Sequence, residues 1–276
     1  MKLRNFDIDN SEPMILMGGM NVLESRDIAM NVAEKFKKVT DKNDIGYIFK
    51  GSFDKANRSS ISSFRGPGID EGLKILQEIS NTFDIPVITD IHEPEQAAPV
   101  SEICEVIQIP AFLARQTDLI IAAAQTKSII QFKKPQFLSA QEMANVVEKC
   151  ESAGNKNITL CERGNSFGYN NLVVDTLNFQ ILKKILKPVI FDVTHSLQLP
   201  GGLGTSTDGR REFVLSLAKA GMSQSIAGLF LEAHPNPDEA KCDGPCALPL
   251  SCLDEFLTQI KELDDFVKNQ NNFEIK

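Results

Sequence analysis

The sequence predicts a (β/α)8 TIM barrel, an α/β fold, on three observations: eight short apolar runs, helical patterns between them, and a near-constant spacing. From the run that starts at residue 14 to the one that starts at residue 228 the spacing averages roughly 31 residues per unit, close to a barrel of about 250 residues divided by eight. An open, doubly wound sheet is the competing architecture, but it normally carries a GxGxxG turn after its first strand, and the sequence has none.

The strands in order are MILMGGMN (14–21), YIFKGSF (47–53), IPVITDIH (85–92), VIQIPAF (106–112), SIIQFKKP (128–135), ITLCERG (158–164), PVIFDVTH (188–195) and GLFLEAHP (228–235). Several are almost continuously hydrophobic, as parallel strands covered on both faces must be. After the first, Ile28, Val32, Phe36 and Val39 repeat at helical spacing. Ser139 with Glu142 forms a capping-box signature ahead of Met143, Val146, Val147 and Cys150. The last helix buries Leu253, Phe256, Leu257, Ile260, Leu263, Phe266 and Val267 on one face. The reading is one domain over 1–276, with residues 1–13 as an N-terminal extension.

The 276 residues are 42% hydrophobic and carry a net charge of −8, a soluble composition that argues against nucleic acid or an anionic membrane as a general partner. MILM is too short for a signal core or a membrane helix, so a cytoplasmic protein is expected. The six cysteines have no disulfide-dense spacing, and Cys242 and Cys246 lack a second pair with which to hold zinc.

Against that acidic background, FKGSFDKANRSS (49–60) stands out, with Lys50, Lys55, Arg58 and then Arg65 opposed only by Asp54. Barrel catalysis belongs to the C-terminal ends of the strands. Polar residues gather there in nearly every unit: Asn21, Lys50, Asp90 with His92, Gln108 and Arg115, Lys133 with Lys134, Glu162 with Arg163, Asp192 with His195, Glu232 with His234, and then Asp243. Alternation along a strand lets only one of Lys133 and Lys134 face the barrel, and the other is expected to meet a helix or a subunit boundary. Lys50, Lys55, Arg58, Arg115, Lys133 and Arg163 on one face would repel one another unless an anion lay between them, which predicts a phosphate-handling site.

His195, Glu232 and Asp243 are ordinary ligand types for a divalent transition metal, but the first strand offers Asn21, whose neutral amide is a poor fourth ligand. The trio reads either as an empty metal site or as an acid–base and water-holding cluster. His92 and His234 are expected to be structural, and Cys246 an inert neighbour.

The segments GGMNVLESRD (18–27), FKGSFDKANRSS (49–60), RGPG (65–68), TDIHEP (89–94), QIPAFLARQTDL (108–119), KKPQF (133–137), ERGNSFGYNNLVVD (162–175), FDVTHSLQ (191–198), LEAHP (231–235) and KCDGPCALPL (241–250) resemble, in order and over nearly the whole chain, the 3-deoxy-D-manno-octulosonate 8-phosphate synthase family. ANRSS is the most specific of them. The sister 3-deoxy-D-arabino-heptulosonate 7-phosphate synthases typically carry Lys-Pro-Arg-Thr there.

The resemblance implies a barrel, usually a homotetramer, that condenses phosphoenolpyruvate with D-arabinose 5-phosphate and water on the route to lipopolysaccharide. It implies that Lys55, Gln108, Ala111, Lys133 and Arg163 hold phosphoenolpyruvate. Asn57, Arg58, Ser59 and Pro110 would hold arabinose 5-phosphate, with Arg115 reaching in from a neighbouring subunit. Lys50 would lie near the reacting aldehyde, and His195 with Glu232 and Asp243 would position and deprotonate water. Family members that need a metal carry Cys at the position of Asn21, so the resemblance is to the metal-independent class, with no cofactor. GGLGTSTDGRR (201–211) would be a mobile lid. Two other readings stay open, a heptulosonate synthase using erythrose 4-phosphate and a non-catalytic phosphosugar-binding barrel.

Overall fold

The computed structural model describes residues 1–202 and 207–271. Eight parallel strands form the barrel: β1 (Ile15–Val22), β2 (Gly46–Ser52), β3 (Val87–Asp90), β4 (Val106–Ile109), β5 (Ile129–Lys133), β6 (Ile158–Glu162), β7 (Val189–Asp192) and β8 (Gly228–His234). Each pairs with the next in sequence, and β8 pairs with both β7 and β1, which closes the sheet. The helices between and after them are α1 (Arg26–Lys42), α2 (Ile69–Phe83), α3 (Ala97–Ser101), α4 (Thr117–Ala124), α5 (Met143–Ser152), α6 (Leu177–Lys183), α7 (Val214–Met222) and α8 (Leu253–Lys268). The predicted barrel is therefore observed, run for run.

Strand alternation sorts the side chains into two cores. Leu16, Phe49, Ile107, Phe132 and Leu229 face outward and pack with the helices. Ile15, Met17, Ile48, Ile88, Val106, Ile129, Cys161, Ile190 and Phe230 fill the lower barrel interior. Continuing the inward parity upward reaches Asn21, Lys50, Asp90, Gln108, Lys133, Arg163, Asp192 and Glu232 in turn. The polar ring is thus the top layer of the barrel's own interior. Gly19 lets β1 approach β2 so closely that a Cβ would overlap the Lys50 carbonyl, and the β1–β2 register shifts between Gly19 and Val22, where Asn21 lies.

The N-terminal extension is more ordered than the sequence announces. Lys2–Leu3 and Phe6–Asp7 form a hairpin around Arg4, and Leu3 and Ile8 close the lower interior. The capping box at Ser139 and Glu142 is present, with Ser139 N donating to Glu142 at 2.9 Å and Glu142 N to Ser139 Oγ at 3.3 Å. On α8, Leu253, Phe256, Leu257 and Ile260 are buried as expected, but Phe266 is exposed, because it lies to the side of the face on which Asp264 of the same turn is buried. No described helix is long and apolar enough to cross a membrane.

Candidate active site

A cavity of about 370 Å³ opens at the C-terminal mouth. Lys50, Lys55, Asn57, Arg58, Ser59, Gln108, Pro110, Ala111, Lys133, Arg163, His195 and Asp243 all line it. Asn21 and Glu232 lie just behind that wall, in contact with His195, Asp243 and Lys50. Arg115 does not join them: its side chain is exposed on the loop after β4, beyond this cavity. The lid expected at 201–211 includes residues 203–206, which lie outside the described residues; Pro200, Gly201 and Thr207 line the cavity on either side.

Cations and carboxylates share the wall. Lys50, 1% exposed, donates to Glu232 Oε1 at 2.8 Å and to the Asn21 carbonyl at 2.8 Å. Burial pushes its ammonium below the ordinary lysine range, and Glu232 opposes this. Burial alone would raise Glu232, yet His195, Lys50 and Lys55 together hold it down at about 2. Burial would likewise lower Lys55, but Asp90 and Glu232 keep it above its usual range. Lys133 contacts Asp192 and sits 3.0 Å from the centroid of the Phe230 ring, whose negative face favours an ammonium. Phe230 is therefore the floor of the site as well as the lid of the apolar interior.

Two kinds of group meet across this floor. The first is a cradle of Lys55, Lys133 and Arg163. Arg163 is buried, which depresses its guanidinium, and it donates Nη2 to Gln198 Oε1 at 2.7 Å while its buried Nη1 has no partner. A buried, unpaired N–H of a guanidinium is costly unless an anion completes it. Gln108 Oε1 is likewise buried without a partner.

The second is the cluster around Asn21. Its Nδ2 donates to Glu232 Oε2 at 2.6 Å and to Asp243 Oδ2 at 3.0 Å, and lies 3.4 Å from His195 Nε2. Two carboxylate acceptors require the nitrogen, not the oxygen, on that side of the amide. His195 Nδ1 faces Asp192 Oδ2 at 2.7 Å, so Nδ1 carries a proton, while Nε2 is turned to the cluster, 3.5 Å from Glu232 Oε2 and 3.8 Å from Asp243 Oδ2. The point where His195, Glu232 and Asp243 converge is filled by an N–H donor, and a metal ion there would have to displace it. As they stand, these residues do not fit a metal. Cys246 points away, to the Asp208 carbonyl at 3.9 Å, and burial pushes its thiol well up. Cys242, which lines the cavity, is pushed up to about 12 by burial and by Asp243.

The site contains residues that sequence reasoning left unassigned. Asp90 and Asp192 were visible at strand ends, but the lysines that face them, Lys55 and Lys133, lie in other units. Inward parity along β3 and β7 is the signal that marks them. Gln136, Gln198 and Lys241 also line the cavity from loops, where no period points to them. His234 meets Glu24 at 3.4 Å and the Asn236 carbonyl at 2.7 Å, the structural role expected of it. His92 is held by Asp90 at 3.2 Å and Phe53.

A model of the DAHP synthetase I family matches residues 4–269. Among curated proteins, the 2-dehydro-3-deoxyphosphooctonate aldolase of Pseudomonas putida (strain GB-1) is 62% identical over 269 residues, covering 98% of this chain and 96% of its own. The proteins of the same name from Hahella chejuensis and Stutzerimonas stutzeri are 62% and 61% identical, covering 99% and 98% of this chain.

Proposed function

The chain belongs to the DAHP synthetase I family, and from that premise we propose that it condenses phosphoenolpyruvate with D-arabinose 5-phosphate and water. The products are 3-deoxy-D-manno-octulosonate 8-phosphate and inorganic phosphate. The observation that carries this reading is one cavity with two anion-binding groups, an inner cradle of Lys55, Lys133 and Arg163 and an outer rim of Asn57, Arg58 and Ser59. Two polyanionic substrates need that arrangement, because each must be neutralised while both are held in reach of one another.

Carbon 3 of phosphoenolpyruvate attacks the sugar aldehyde, and positive charge develops at carbon 2. Lys50 is the cation nearest the cluster and stabilises the aldehyde oxygen as it becomes an alkoxide. Water adds to carbon 2 and gives its proton to the cluster of His195, Glu232 and Asp243. The C–O bond to phosphate then breaks, and the inner cradle holds the leaving group. Fixing both partners contributes roughly 7–11 kcal/mol through proximity and orientation.

The reaction needs no metal in this reading. Support comes from Asn21, whose amide hydrogen bonds occupy the convergence point of the three side chains. The assembly is a homotetramer in which Arg115 completes a neighbour's sugar-phosphate rim. Supporting this are the exposure of Arg115 and of Phe112, Phe137, Phe167 and Tyr169 on the loops after β4, β5 and β6. The enzyme works in the cytoplasm, where phosphoenolpyruvate is made.

The test follows the ultraviolet absorbance of phosphoenolpyruvate with arabinose 5-phosphate or erythrose 4-phosphate, each with and without a strong chelator. Turnover with the five-carbon sugar alone, unchanged by chelator, is the expected result. Chelator-sensitive turnover restored by Mn²⁺ overturns the metal-independent reading, and turnover with erythrose 4-phosphate alone makes the chain a heptulosonate synthase.

A further inference from the structure

Lys134 and Glu162 are both fully buried, and neither faces the cavity. By strand alternation they lie on the outward parity, beside the inward-facing Lys133 and Arg163. The sequence suggested that Lys134 meets a helix or a subunit boundary; instead it is sealed beneath two loops of its own barrel. Its Nζ lies 2.6 Å from Asn165 Oδ1, 3.1 Å from the Pro135 carbonyl and 3.4 Å from the carbonyls of Leu138 and Gly164. Glu162 Oε1 is 3.6 Å away.

An ammonium has three protons, so these five acceptors share one hub rather than form one pair. Glu162 ends β6, and the other four acceptors belong to the loop after β5 and the loop after β6, which are also joined by Ser166 N donating to the Gln136 carbonyl at 3.1 Å. Glu162 Oε1 in turn accepts from the backbone N–H groups of Arg163 at 2.9 Å and Gly164 at 2.6 Å. Gly164 has φ +89°, a left-handed conformation that lets both amides converge on one oxygen. Burying two charges in this way is a poor route to stability, since an apolar pair of similar volume is often as stable or more so. What the arrangement does achieve is to fix the backbone of Arg163, whose Nη1 is the unpartnered buried donor of the cradle, and the loop that carries Gln136.

We propose that Lys134 and Glu162 are positioning residues for the phosphoenolpyruvate cradle, acting through the backbone of Arg163 and the Gln136 loop. This rests on the functional reading above. The arabinose 5-phosphate rim at Asn57–Ser59 belongs to another loop, after β2, and makes none of these contacts.

The test uses calorimetric titration of phosphoenolpyruvate and steady-state kinetics on Lys134→Met and on Lys134→Met with Glu162→Gln. Both are expected to raise the dissociation constant and KM for phosphoenolpyruvate about tenfold, with KM for arabinose 5-phosphate within about twofold of wild type. The double variant should regain thermal stability lost in the single one, because no unpaired carboxylate remains buried, yet keep the weak binding. Asn165→Ala leaves both charges in place and carries the test if neither methionine variant folds, with an expected weakening of about threefold. A folded variant that binds phosphoenolpyruvate as wild type does overturns this inference alone. So does a uniform fall in which both KM values and kcat move together, the mark of general loosening. Wild type that binds no phosphoenolpyruvate overturns the functional reading and this inference with it.

Discussion

At the N-terminal end of the barrel, Leu3 and Ile8 close a layer of Ile15, Ile48, Ile88, Val106, Ile129 and Ile190. At the other end, a few residues further along the same strands, the inward positions hold Asn21, Lys50, Asp90, Gln108, Lys133, Asp192 and Glu232. The lower layer needs no partner beyond itself and stabilises by removing apolar surface from water. The upper layer buries ions and leaves Arg163 Nη1, Gln108 Oε1 and Asn21 Oδ1 without hydrogen bonds. One scaffold thus places its stability at one end of each strand and its chemistry at the other, and substitutions at the two ends should fail differently.

The largest effect is expected at the upper end. Arg163→Ala removes the buried guanidinium and its open donor, and should lower kcat/KM for phosphoenolpyruvate roughly 10²- to 10⁴-fold, the loss typical of truncating a buried charged partner. The thermal unfolding midpoint should move by only a few degrees, since a desolvated cation is lost along with its contacts. Steady-state kinetics beside a melting curve check both halves. A collapse in stability with intact kinetics would reverse the comparison.

The matching change at the lower end is Ile8→Ala. Ile8 is fully buried against the barrel floor, so the deletion should cost roughly 2–5 kcal/mol in denaturant unfolding. At temperatures where the variant is folded, kcat and both KM values should match wild type. A change in kcat would mean that the floor transmits its packing through Phe230 to Lys133, and that the two layers are coupled.

The contrast between the ends also explains what the sequence made legible. The barrel was readable because each strand is a separate apolar run with a regular interval, and the upper ring because charged residues end those runs. The N-terminal hairpin was not, because its strands have two residues each, too few for a period, and its left-handed turn position is Arg4 rather than glycine. Lys55, Lys133 and Arg163 stand out as anion ligands from the charge pattern at the strand ends, resemblance assigns them to phosphoenolpyruvate, and inward parity agrees for the two on strand ends. Asp90 and Asp192 went unassigned because a carboxylate in an anion site makes sense only beside the cation it holds, and Lys55 and Lys133 come from other units. Lys134 was misjudged for the same reason: its partner Glu162 and the carbonyl of Gly164 reach it only through the pairing of β5 with β6.

Acid should sharpen the comparison through Asp90. Its carboxylate accepts from Ser52 Oγ and lies 3.2 Å from His92 Nε2. Burial works to raise it, but Lys55 and His92 hold it well below its ordinary 3.8. A carboxylate depressed in the folded state contributes stability that is fully present above its unfolded value and is lost as pH falls through the folded one. Wild type should therefore lose stability below about pH 4 with a contribution from this group of up to one proton, about 1.4 kcal/mol per pH unit. In Asp90→Asn that contribution is absent, so urea unfolding measured at steps from pH 5 downward should give a shallower slope below pH 4 than wild type. Ile8→Ala should displace the wild-type curve downward in parallel, because an apolar deletion binds no protons in either state. Parallel curves for both variants would mean that Asp90 titrates alike in the folded and unfolded chains. The ionic upper layer would then differ from the apolar lower one in chemistry but not in its linkage to pH.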